Sequence, residues 1–166
     1  MKKNRIGKGL SAFLYLLLIT FCLSLFSSCN QINIYEQDAT IPKYEWHYDY
    51  TPAFDFTITD TAAQYALYIV LRHTDTYRYN NICLNIGTQR QGDSLTYQRV
   101  DLALGSDAQG WEGTGMDDIW EVRKPLTQGP FKFKQPGNYR FVVAQQMREN
   151  PLNDIMSVGV RVEKIK

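Results

Sequence analysis

From Trp46 onward, apolar side chains recur at every second position in short runs, and the runs are separated by glycine, proline and asparagine. Period-two spacing puts one side of an extended chain into a core and the other into water, whereas a buried helix needs a 3.6-residue stripe. Phe54, Phe56 and Ile58 alternate with Asp55 and Thr57, and Ile82, Leu84 and Ile86 repeat the pattern up to a Gly87–Gly92 turn region. Val100, Leu102 and Leu104 alternate with Arg99 and Asp101, and a strand from Ile119 to Arg123 is expected to end before Pro125. After the turn at Pro136-Gly137-Asn138 come Tyr139, Phe141 and Val143, and after Asn150-Pro151 come Val158, Val160 and Val162. Gln64 to Leu71 is apolar on both faces, the mark of a central strand covered on both sides. No helical stripe of useful length follows the N-terminal segment. Seven or eight short strands punctuated by turns predict an all-β fold, an antiparallel β-sandwich of jelly-roll-like form, over residues 46–166.

The first 28 residues read differently. Lys2, Lys3, Arg5 and Lys8 precede an apolar run from Leu10 to Phe26, which leads into Ser27-Ser28-Cys29. Small residues before a cysteine suit a lipoprotein signal peptidase, and the thiol then takes the lipid. An ordinary secretory signal shares the charged start and apolar core, and a run of this length approaches the ~17–25 residues of a membrane span. Against a span, no basic flank follows the run; Phe26 departs from the aliphatic residue usual in a lipid signal. Lipidation at Cys29 is the favoured reading. Residues 29–45 then form a lipidated tether, and the early apolar group Ile32, Ile34 and Tyr35 either belongs to that tether or lies on the domain as an edge strand. The stretch 30–35 lacks an acidic run that would suggest surface export, so the expected address is the outer membrane, facing the periplasm.

Removal of residues 1–28 leaves 14 basic against 17 acidic residues, a net charge of −3. A mildly acidic chain without a basic block argues against nucleic acid as a partner and against a polybasic membrane patch. Of the three cysteines only Cys83 remains after Cys22 leaves and Cys29 is acylated, so no internal disulfide is expected despite an exported address. There is no internal repeat and no second domain boundary.

Candidate chemistry is sparse. His47 and His73 lack ligand-spaced neighbours, and Cys83 has no evident activating base. Gly110-Trp111-Glu112-Gly113-Thr114-Gly115 is glycine-rich but lacks the strand–helix setting of a phosphate loop, and reads as a tight turn. Asp117-Asp118, with Glu112 and Asp107 near in sequence, offers oxygen ligands for a hard cation. The spacing matches no calcium loop, and solvated turn charges are the plainer role. No catalytic residue, metal site or cofactor is expected. Trp111 among its glycines is the candidate partner contact, with plugging the end of the sandwich as the alternative.

Several segments carry a resemblance: Leu71-Arg-His-Thr-Asp-Thr-Tyr-Arg-Tyr-Asn-Asn81, Gly110-Trp-Glu-Gly-Thr-Gly115 followed by Ile119, Gly137-Asn-Tyr-Arg-Phe141 running to Gln146-Met-Arg148, and Leu152 to Lys164. In this order, and with the lipid-signal cysteine, the chain resembles the gliding-motility lipoprotein GldH family of Bacteroidota. The resemblance implies a non-enzymatic envelope lipoprotein held to the membrane by its lipid and associated with gliding-machinery proteins. It carries over Cys29 alone as a defined position. The alternative function is an envelope-anchored glycan-binding or glycan-processing sandwich.

Overall fold

The computed structural model describes residues 34–165, and the signal segment and Cys29 lie outside them. Eight main strands follow in chain order: β1 Ile34–Thr40, β2 Ala53–Ile58, β3 Gln64–Thr74, β4 Asn81–Arg90, β5 Thr96–Ala103, β6 Ile119–Pro125, β7 Gly137–Gln145 and β8 Ile155–Ile165. One sheet runs β1-β8-β3-β6, with Thr114–Met116 added beside β6, and the other runs β2-β7-β4-β5. All neighbours are antiparallel. The orders 1-8-3-6 and 2-7-4-5 are those of a jelly roll: among the eight main strands only β4 and β5 form a hairpin within one sheet, and the other connections cross between sheets.

Alternation sets the core. Phe54, Phe56 and Ile58 of β2 and Phe141 and Val143 of β7 meet Leu67, Ile69 and Leu71 of β3 and Val158, Val160 and Val162 of β8, all buried. Phe56 is the hub of an aromatic cluster, with ring centroids 5.3 Å from Tyr35, 5.4 Å from Phe141 and 6.0 Å from Phe133.

β3 is buried on both faces, as its sequence requires, but its outer face is covered by side chains of its own sheet. Val70 is 6% exposed and lies between Arg123 on β6 and Gly159 on β8. Arg123 reaches across to Glu36 on β1 at 3.8 Å, and Glu36 also pairs with Arg161. Arg72 pairs with Glu121 at 2.8 Å, and Glu121 with Arg123 at 3.6 Å. The aliphatic stems of such arginines shelter the strand, with the heads of Arg72 and Arg123 kept wet and that of Arg161 held between Glu36 and Glu163. Each pair contributes little by itself.

Three expectations change in detail. Of the two roles open to the early apolar group, Ile34 and Tyr35 take that of an edge strand, since β1 pairs with β8 from Ile34↔Glu163 to Thr40↔Ser157. Gly87 does not begin a turn; β4 continues to Arg90, and Gly87 is buried beneath the ring of Tyr97 on β5. β6 runs through Pro125, which pairs with Tyr68 at the strand's last position. A cross-strand aromatic ring laid on a glycine restores the packing the glycine lacks. The same device recurs where Trp120 covers Gly115 and where Trp111 covers Gly105.

Candidate functional site

Because the strands run alternately up and down, the connections segregate to two ends. One end carries the start of β1, the end of β8 and three loops, 59–63, 91–95 and 126–136. The other end carries 41–52, 75–80, 104–118 and 146–154. These four loops are bonded to one another. Tyr48 donates its hydroxyl to the Met147 carbonyl at 2.8 Å, and its backbone N–H to Asn150 at 3.0 Å. Asp75 N–H donates to the Asp118 carbonyl and Leu104 N–H to that of Asn80. The hydroxyls of Thr74 and Thr76 donate to Asp154. Gln145, fully buried, donates to the carbonyls of Trp46 and Glu149 and accepts the Met147 N–H at 2.8 Å. A buried amide with its partners satisfied fixes the loops around it.

This end concentrates three unusual features. Of the four large apolar side chains that stand exposed among the described residues, Tyr44, Tyr48 and Met116 are here; Met116 is 73% exposed. The four non-glycine residues with left-handed backbone among the described residues, Lys43, Tyr44, Asp117 and Asp154, are here too. Such backbone costs roughly 1–2 kcal/mol per residue and persists where surrounding structure holds it. The four loops also hold nine acidic and three basic residues, a net of −6, counting Glu45, Glu112 and Glu149 with the six aspartates.

Trp111 sits at this end, half-buried. Its ring lies 4.6 Å from His73, edge to face, and 6.2 Å from Tyr77. Gly113 has φ +93°, and a Cβ there would lie 2.1 Å from the Glu121 carbonyl oxygen, so both backbone and space demand glycine. The glycine-rich segment thus folds Trp111 over the core as short paired strands, Gly105–Ser106 with Gly110–Trp111. His73 is fully buried. Its Nδ1–H donates to the Thr74 carbonyl at 2.8 Å, while Nε2 is buried without a partner. Burial pushes its pKa down, against a smaller upward pull from the Thr74 bond. Burial also drives the Tyr77 hydroxyl pKa up, so it stays neutral.

The remaining candidates disperse. His47 is exposed. Cys83 is half-buried on the outer face of the β2-β7-β4-β5 sheet, and its backbone N–H faces the Met147 sulfur. Asp117 and Asp118 are exposed in the turn before β6, Asp107 is exposed, and Glu112 pairs with Lys124. No group of three metal-ligating side chains comes together among the described residues.

Two features escaped sequence reasoning. Tyr44 and Tyr48 lie in an aperiodic segment, where spacing gives no facing. The outer face of β2-β7-β4 holds a groove of about 570 Å³ lined by Asp55, Thr57, Gln89, Gln91, Asn138 and Arg140. The outward-pointing alternates of each strand could have indicated these side chains, but not that they share a groove. Arg140 grips Asp55 with two bonds, 2.8 and 2.9 Å, which lower the Asp55 pKa.

Comparison with known proteins matches residues 33–162 to the family model described as GldH lipoprotein. The chain is 29% identical over 161 residues to a protein named gliding motility lipoprotein GldH homolog from Christiangramia forsetii, covering 93% of this chain and 97% of that one. It is 25% identical over 147 residues to the gliding motility lipoprotein GldH of Flavobacterium johnsoniae, covering 84% and 90%. Among solved structures, a carbohydrate-binding module specific for non-crystalline cellulose aligns over 78% of this chain and 73% of its own, at 12% identity and a TM-score of 0.42, a likeness too slight to bear on function. The match over most of the sandwich places this chain in the GldH lipoprotein family.

Proposed function

We propose that the chain is a non-enzymatic envelope lipoprotein of the gliding machinery, acylated at Cys29 and acting by binding a protein partner through the four-loop end of its sandwich. The observation that carries the reading is the gathering of Tyr44, Tyr48 and Met116 on loops held in costly backbone conformations, with Gln145 pinning the loop of the two tyrosines to 146–154. Exposed rings whose positions are fixed in advance lose little entropy on binding, and aromatic anchors dominate interface energies. Trp111 contributes from below, as the packed base of this surface. Residues 1–28 are the signal peptide, and the outer membrane facing the periplasm is the address. The test is affinity capture from solubilised membranes with the lipidated protein and with Tyr44→Ala/Tyr48→Ala/Met116→Ala. Loss of one specific envelope partner with an unchanged melting temperature supports the reading. Full retention of that partner by the triple variant contradicts it.

A second reading is favoured by the polar groove. Its amides, with Thr57 and the Asp55–Arg140 pair, suit a hydroxyl-rich glycan, and exposed Tyr97 stands on the same sheet face. The lining holds a single carboxylate, already committed to Arg140, so the groove supports glycan binding rather than two-carboxylate cleavage. Glycan-array binding that disappears with Gln89→Ala/Asn138→Ala would establish this second reading.

A further inference from the structure

We infer that the other end of the sandwich, around Phe131–Gln135, lies against the membrane and engages anionic lipid head groups. This rests on the proposed acylation of Cys29. β1 begins at Ile34, five residues after that cysteine, so a fully extended chain lets Ile34 stand no more than ~18 Å from the lipid attachment. The leash therefore starts at the end that holds Ile34, Glu163, Tyr65 and Phe131, tied together by Ile34↔Glu163 and by the Tyr65–Phe131 backbone pair.

Charge then selects among the orientations so short a leash permits. Lying on the β1 edge would press exposed Glu36 and Asp38 onto the bilayer, and the opposite end carries the net −6 already described. At the leash end, Lys132 and Lys134 are exposed, and neither forms an ion pair among the described residues, whereas Lys164 is committed to Asp60 and Arg90 to Asp93. The alternation Phe131-Lys132-Phe133-Lys134 turns both rings toward the protein, where Phe133 packs on Tyr65 and Tyr139, and both ammonium groups outward. Between them opens a cleft of about 350 Å³, whose lining includes Arg90, Asp93, Lys132, Lys134 and Gln135. A cationic cleft at the end nearest the anchor suits a lipid phosphate, and each lysine near an anionic surface adds attraction that salt screens. Two lysines are too few to make a basic block in the sequence; the fold places them where the anchor brings them to the bilayer.

The experiment uses the mature, lipidated full chain reconstituted into phosphatidylethanolamine–phosphatidylglycerol vesicles, with Cys83→Ser removing the native thiol. An environment-sensitive dye is placed at Gln135→Cys or at Tyr48→Cys, and head-group spin-labelled lipid is the quencher. Mass spectrometry first establishes acylation. The expected result is quenching at position 135 at least about twofold stronger than at 48, reduced by Lys132→Glu/Lys134→Glu and by high salt. Equal quenching at the two positions, or stronger quenching at 48, in an acylated chain overturns this inference alone. Quenching unaffected by the charge reversal overturns the head-group contact. An unacylated Cys29 removes the anchor reading and this inference with it.

Discussion

Replacing Ile69 by alanine tests the architecture at its centre. Ile69 is fully buried in the middle of β3, flanked by Val160 on β8 and Lys124 on β6. The change removes three carbons, worth about 2.4 kcal/mol at ~0.8 kcal/mol per buried methylene. A cavity term adds to this, because two hydrogen-bonded neighbouring strands and the facing sheet hold the site open. The expected cost is about 3–4.5 kcal/mol, a fall in melting temperature of roughly 10–20 °C for a domain of this size. Thermal and urea unfolding of a Cys29→Ser chain lacking residues 1–28 reads it directly. Arg72→Ala, three positions along on the outer face, is the control and should cost less than about 1 kcal/mol. A loss under about 1 kcal/mol at Ile69, or losses equal at both positions, would refute the account of β3 as the central strand.

Other consequences follow from the four-loop end. The folded-state pKa of His73 is depressed, so the unfolded chain takes up a proton where the folded one does not. Stability is therefore fully present above the unfolded value near 6.5 and declines as pH falls through the folded value. His73→Phe should flatten that part of the pH–stability curve, read by urea titrations between pH 7 and pH 5; an unchanged slope counts against it. Gly113→Ala is expected to cost about 2–4 kcal/mol, because its Cβ meets the Glu121 backbone rather than a movable side chain. Trp111→Ala is expected to lower the melting temperature markedly, by about 2–4 kcal/mol of stability, since its ring closes the core over His73 and Tyr77. An unchanged melting temperature with lost partner capture would make Trp111 a direct contact instead.

Strand positions were legible wherever one face meets the core and the other meets water. Phe54-Asp55-Phe56-Thr57-Ile58 reads off directly, and the structure buries the expected three. The double-sided burial of Gln64–Leu71 was legible as well, but not its cause, because arginine stems reaching across strands leave no trace in local spacing. Gly87 was misread because glycine looks the same in a turn and beneath an aromatic ring; the ring that decides it comes ten residues later, at Tyr97. β1 was ambiguous because an edge strand that leaves Glu36, Gln37 and Asp38 exposed resembles a polar tether until its partner strand is known. The two ends of the sandwich were invisible for the same reason: loops have no period, and only topology brings Tyr48 beside Met147 and Lys132 to the anchor end.

If the anchored domain presents its four-loop end to a protein partner, that end must lie within crosslinking reach of the partner. Site-specific photo-crosslinking in living cells tests this most directly, with the crosslinking residue placed at Tyr48 or at Lys132. The expected result is a covalent adduct with one envelope protein from position 48 and no protein adduct from position 132. A protein adduct from 132 with none from 48 would contradict it.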